Sequence, residues 1–229
     1  AGENTSVDVP EEGAGSETED TAGTEVEVDL TTEGSSADGT VQLTVNTDTA
    51  QSLVNANAQS LAVASNVGTV TLDREALSQL EDVTDEVVIS ITKTASTNKW
   101  EVTVKEGSEE IFENAPGGKI TISVPAPAGV TDNDNFKVYC VDDGMEDMNA
   151  TYVAGEGAGA SGIWTWTTTH LSTFMGVEIE EGDQVVYSVG STLEADTLAD
   201  ALSAIGGASE TDATITLVKD IKLNETSNT

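Results

Sequence analysis

The feature that most constrains this chain is a train of short apolar runs that keep a two-residue period and are cut by turn residues. Val87 to Thr92 (VVISIT), Trp100 to Val104 (WEVTV), Ile120 to Val124 (ITISV) and Phe136 to Val141 (FKVYCV) are the clearest, with Ile111-Phe112 and Tyr152-Val153 as shorter members. Ile163 to Glu180 closes the series with one or two strands. Between the runs lie Ser96-Thr97-Asn98, Pro116-Gly117-Gly118 and Asp142-Asp143-Gly144, all favourable turn sequences. Alternation at period two puts every second side chain on one face of a strand, so each run has one face to bury. A turn roughly every 8–12 residues favours two packed antiparallel sheets. Asp143-Gly144, placed between two such runs, predicts a hairpin.

The pattern begins at Thr40. Val41, Leu43 and Val45 alternate with polar residues, while Leu61 to Val63 and Val70 to Leu72 read as short strands. Thr49 to Ala58 is weakly helical, and Asp73 is placed to cap a helix over Arg74 to Leu80. The expected fold is therefore mainly β: a two-layer, β-sandwich-like domain over residues 39–180 with two short helices.

The flanks differ. Residues 1–38 hold twelve acidic residues and no Lys or Arg, with apolar residues only singly, which predicts a disordered acidic tether. Residues 181–229 read as a strand at Val185 to Val189, a helix over Leu193 to Ile205, and strand-like Ala213 to Leu217 and Ile221 to Leu223. This stretch is expected to be a partial repeat or the start of a following domain.

Charge excludes some functions. Against 42 Asp and Glu stand 8 Lys and Arg, a formal charge of −34. Such a surface repels phosphate backbones and anionic lipid heads, so neither nucleic-acid binding nor membrane insertion is expected. No window approaches the roughly 20 apolar residues of a membrane span. Acidic residues scattered among Thr, Ser, Gly and Asn suit an exported, soluble protein. Ala1 followed by an acidic stretch reads as a mature N-terminus from which a signal peptide has been removed. With Cys140 as the sole cysteine there is no intrachain disulfide, and its apolar strand context reads as a buried structural thiol.

Two stretches carry a resemblance. Val70 to Leu77 (VTLDREAL), Tyr139 to Gly144 (YCVDDG), Ala150-Thr151-Tyr152 and Trp166 to Val177 (WTTTHLSTFMGV) together resemble a β-rich module of large Firmicutes cell-surface proteins, which occurs beside S-layer-homology or Ig-like repeats. There Phe is usual where Leu171 stands, and Tyr is common where Phe174 stands. Thr197 to Leu223 resembles the opening of a right-handed parallel β-helix repeat in proteins of the same kind, of which one coil cannot bury its own face. The resemblance implies extracellular display on a Gram-positive surface, as a spacer or adhesin, with a polysaccharide or host ligand as the alternative partner. It names no ligand.

Four groups of residues are candidates for chemistry. His170-Leu171-Ser172 resembles the His-Phe-Ser sites of autoproteolytic domains, which implies Ser172 as nucleophile on the Leu171–Ser172 bond and His170 as general base. Against this, both side chains fit equally well as strand residues hydrogen-bonding their neighbours. Trp164 and Trp166, two apart, share one strand face and make either a sugar-stacking platform or a core pair. Asp132, Asp134, Asp142 and Asp143 sit in oxygen-rich loops that suit calcium, although turns recruit the same residues and the spacing is not that of an EF-hand. Lys105, Lys119 and Lys137 lie on or beside strands, where other surface domains form Lys–Asn isopeptide bonds. No other cofactor is expected, and an enzyme is not: a lone His without a Gly-x-Ser-x-Gly elbow makes a poor hydrolase.

Overall fold

Two sheets facing one another across an apolar interior realise the two-residue period. The computed structural model describes residues 3–6, 23–31, 38–94, 97–112, 117–127, 130, 135–142, 144–155, 162–189, 192–207 and 213–218. In chain order the first half is β1 (Glu3–Ser6), β2 (Glu25–Asp29), β3 (Gly39–Val45), α1 (Thr47–Asn55), β4 (Ser60–Ala64), β5 (Thr69–Asp73), α2 (Arg74–Ser78), β6 (Val87–Lys93) and β7 (Lys99–Glu106). There follow β8 (Glu109–Glu110), β9 (Ile120–Pro125), β10 (Phe136–Cys140), β11 (Glu146–Asp147), β12 (Thr151–Val153), β13 (Ile163–Thr168), β14 (Thr173–Glu178), β15 (Val185–Val189), β16 (Thr192–Asp196), α3 (Leu198–Gly207) and β17 (Ala213–Leu217).

The first sheet runs β1-β3-β6-β7-β14-β10-β11, with β8 also on β7; the second runs β12-β13-β9-β5-β4-β2. Inward positions alternate cleanly. Trp100, Val102 and Val104 of β7 and Phe136, Val138 and Cys140 of β10 face Ile120, Ile122 and Val124 of β9 and Trp164 and Trp166 of β13. Aromatic rings lock the layers together: Trp166 lies with its centroid 6.3 Å from Trp100 and 5.4 Å from Phe174, and Trp164 lies 4.9 Å from Phe136. The outer face of the first sheet carries a hydroxyl pairing instead, Ser90 with Thr103 at 2.7 Å and Thr40 with Thr92 at 2.9 Å. Gly176 has a specific role, since a Cβ there would sit 2.2 Å from Phe136 Cζ. Its absence lets the Phe136 ring cross β14.

Both expected helices form. Asn46 caps α1 by accepting from Thr49 N–H (2.8 Å), and Asp73 caps α2 by accepting from Ala76 N–H (2.8 Å). Their buried Ala50, Leu53, Ala76 and Leu77 extend the main core. The predicted hairpin is present: β10 and β11 pair antiparallel, with Gly144 at φ +112° in the turn between them.

Four expectations are corrected. Residues 1–38 are not simply a tether, because β1 pairs parallel with β3 and β2 pairs parallel with β4. In β2, Val26 and Val28 alternate with Glu25, Glu27 and Asp29, and Val28 is buried. The period-two signal was thus present there at an edge strand whose charges face outward. Next, Leu193 to Asp196 belongs to a strand, not to the following helix. It pairs with β15, and the helix starts at Leu198 because Thr197 Oγ1 accepts from Asp200 N–H (3.2 Å) as its cap. Third, the C-terminal strands form an antiparallel sheet, β16-β15-β17, where a parallel β-helix coil was expected. Ile221 to Leu223 lies outside the described residues. Finally, Ile111-Phe112 follows the short strand β8 without continuing it, and Phe112 is buried in the core.

The small third sheet is joined to the sandwich. Tyr139 and Val177 point away from the main interior and meet Val186 and Leu193 in a second apolar cluster. β10 and β14 are therefore covered on both faces, which fixes the strand ends where the candidate residues lie.

Candidate functional site

After Thr168 the chain leaves the second sheet, crosses the end of the sandwich through Thr169 to Ser172, and enters the first sheet at Thr173. Each residue of this crossover is held by name. Thr168, itself buried, donates its hydroxyl to the His170 carbonyl (2.8 Å) and accepts from His170 N–H (3.2 Å). Leu171 is buried and its N–H donates to the Phe112 carbonyl (3.2 Å). Val102 N–H donates to the Ser172 carbonyl (3.2 Å).

The register of β10 against β14 supplies the partners. Cys140 pairs with Phe174, and Val141 N–H donates to the Thr173 carbonyl, so Cys140 and Asp142 lie beside Ser172. Asp142 Oδ2 accepts from Ser172 Oγ (2.6 Å) and from Thr173 N–H (2.7 Å). Cys140 Sγ lies 3.3 Å from Ser172 Oγ and 3.5 Å from His170 Nε2. The other imidazole nitrogen, Nδ1, is 3.4 Å from Thr168 Oγ1.

Two small cavities meet at this point. One of about 190 Å³ is lined by Glu101, Glu110, Asp142, His170, Ser172 and Thr173, among others. The second, of about 210 Å³, is lined by Lys119, Glu146, Met148, Thr168 and His170, among others. His170 is the wall common to both. The first opening is rimmed by three carboxylates, so its field favours neutral or cationic molecules.

The geometry rearranges the expected roles. His170 and Ser172 do lie together, but the hydrogen bonds of Ser172 Oγ run to Asp142 and Cys140, whereas the imidazole contacts the thiol. If Ser172 is a nucleophile, Asp142 is the base in contact with it. Cys140 is buried as expected, with His170 Nε2 at 3.5 Å from its sulfur. The thirty residues separating it from His170 are bridged only by strand register, which no local pattern reveals. The one available signal was that YCVDDG and HLST belong to the same resemblance.

Trp164 and Trp166 are 0% and 3% exposed, so the shared face they were expected to present is the core face and offers no ring to a sugar. Asp132, Asp134 and Asp143 lie outside the described residues, and Asp142 is engaged by Ser172 and Thr173. Among the described residues no group of three or more His, Cys, Asp or Glu is arranged to hold a metal ion. Lys105 pairs with Glu110 at 3.3 Å. Comparison with protein-family models, with curated proteins and with solved structures finds no match.

Proposed function

We propose that this chain is a non-catalytic extracellular module of a bacterial cell-surface protein, acting as a spacer, adhesin or display segment. The observation that carries the reading is the division of the sandwich by chemistry. Interior positions hold Val, Ile, Leu, Phe and Trp, while exposed strand positions such as Glu101, Glu109 and Glu178 are acidic. With 42 acidic residues against 8 basic ones, the charge on this surface is largely uncompensated. It repels other copies of itself and keeps a densely displayed module soluble and separate. The two cavities at the crossover are smaller than the ~300–1,000 Å³ usual for small-molecule sites, which supports a role carried by the outer surface. In the alternative reading that surface binds a polysaccharide or host ligand without the Trp164/Trp166 platform, whose rings are buried.

One observation favours a second reading, a self-processing domain. The hydroxyl of Ser172 is already hydrogen-bonded to the Asp142 carboxylate at 2.6 Å, next to the Leu171 carbonyl it would attack. Intact-mass spectrometry of the denatured chain separates the two. The non-catalytic module gives one mass equal to that of the sequence. Two fragments meeting at Leu171–Ser172, lost in Ser172→Ala, would establish the second reading instead.

A further inference from the structure

The second of the two cavities at the crossover has walls of opposite charge that no ion pair joins. One wall belongs to the second sheet. The pairing of Thr168 with Ile120 sets Lys119 opposite Thr169, and Asp73 N–H, donating to the Lys119 carbonyl (3.1 Å), holds it there. The other wall belongs to the edge of the first sheet. Glu146 pairs with Cys140 across the β10–β11 hairpin, and Met148 N–H donates to the Val138 carbonyl (2.9 Å). Lys119, Glu146 and Met148 line the space between, together with Thr167 to His170.

Among the described residues the ion pairs are Lys93–Asp38 and Lys105–Glu110, so Lys119 and Glu146 are neutralised neither by each other nor by a third residue. The hydroxyl of Thr168 is committed to the His170 carbonyl, whereas those of Thr167 and Thr169 have no partner among the described residues. A lone anion entering this space gains Lys119 but meets Glu146, and a lone cation meets the reverse. A molecule carrying both charges complements both walls at once. The volume of about 210 Å³ is that of about seven waters at ~30 Å³ each, too small for a drug-sized ligand and sufficient for an amino acid. We propose that this cavity is a binding site for a small zwitterion of the α-amino acid class. Its carboxylate pairs with Lys119, its ammonium with Glu146, and its side chain lies against Met148. The site uses neither Ser172 nor Asp142, so it stands apart from self-processing.

The test is a titration of the intact chain at neutral pH with L-alanine, N-acetyl-L-alanine (carboxylate only) and L-alaninamide (ammonium only). It is read by NMR on the ring protons of His170, which are unique because the chain has one histidine. Alanine is expected to move them along a saturating curve, with a midpoint of roughly millimolar for so small a ligand. Each blocked form is expected to bind about tenfold more weakly, the scale of a lost charge-assisted hydrogen bond. Lys119→Met and Glu146→Gln, both at exposed positions, should fold as the parent does and each weaken alanine by the same factor. A response to alanine on the unaltered chain that is absent or never saturates would overturn the proposal. So would alaninamide binding as tightly as alanine, which would put the ligand in the carboxylate-rimmed cavity instead.

Discussion

At the scale of single residues, the indoles and one phenol give the sharpest expectations. Trp100, Trp164 and Trp166 are all within 3% of full burial, and each ring N–H lacks a hydrogen-bond partner among the described residues. An unsatisfied buried donor costs about 1–3 kcal/mol, so these rings are retained for the area they bury and the neighbouring rings they touch. Tryptophan emission is accordingly expected to be blue-shifted, resistant to acrylamide and unchanged by glycans; red-shifted, readily quenched emission would mean the rings face solvent. Tyr139 reports on the second apolar cluster. Burial first, and then the Asp147 carboxylate, push its phenol from 10.0 up to about 12. A group whose folded-state value is raised stabilises the fold fully below the unfolded value. Its contribution is lost as pH rises through the folded value. Stability should therefore fall between about pH 10 and pH 12, and Tyr139→Phe should flatten that fall when chemical denaturation is repeated across the window. An equal fall in the variant would remove Tyr139 from the account. Tyr187, raised to about 12 mainly by its hydrogen bond to Glu194, acts in the same direction.

At the scale of elements, what the sequence made legible follows from how local each signal is. The alternation of Leu43 and Val45, of Trp100, Val102 and Val104, and of Ile120, Ile122 and Val124 exposes strand and face together, since burial imposes the period directly. Asp73 marked the start of α2 because a cap is a contact three residues away. Replacing it should cost about 1 kcal/mol, read as a lower urea midpoint for Asp73→Ala with unchanged slope. A midpoint equal to the parent's would show that the cap is not needed. Legibility failed where partners are distant or patterns overlap. The Leu193 to Asp196 segment has helix-compatible composition and became a strand because β15 was available to pair with it. The two-valine alternation of β2 was outweighed by the acidic composition around it. Cys140 and His170 meet through the β10–β14 register, a relation among strands that the identity of neither residue announces.

At the scale of the whole molecule, the shape and charge act together. Two sheets share an apolar interior, a third sheet braces β10 and β14 from outside, and no acidic residue is buried among the described residues. At the crossover at the end of the sandwich His170 borders two small cavities and Ser172 meets the Asp142 carboxylate, and the self-processing reading turns on it. The proposed function puts this surface to work outside the cell. Brief digestion of intact producing cells with a protease cutting after Glu, followed by mass spectrometry of the released peptides, tests it most directly. The account predicts peptides from exposed acidic segments, such as that around Glu101 to Glu110, before any cytoplasmic marker appears. Peptides from this chain that appear only after the cells are lysed would contradict it.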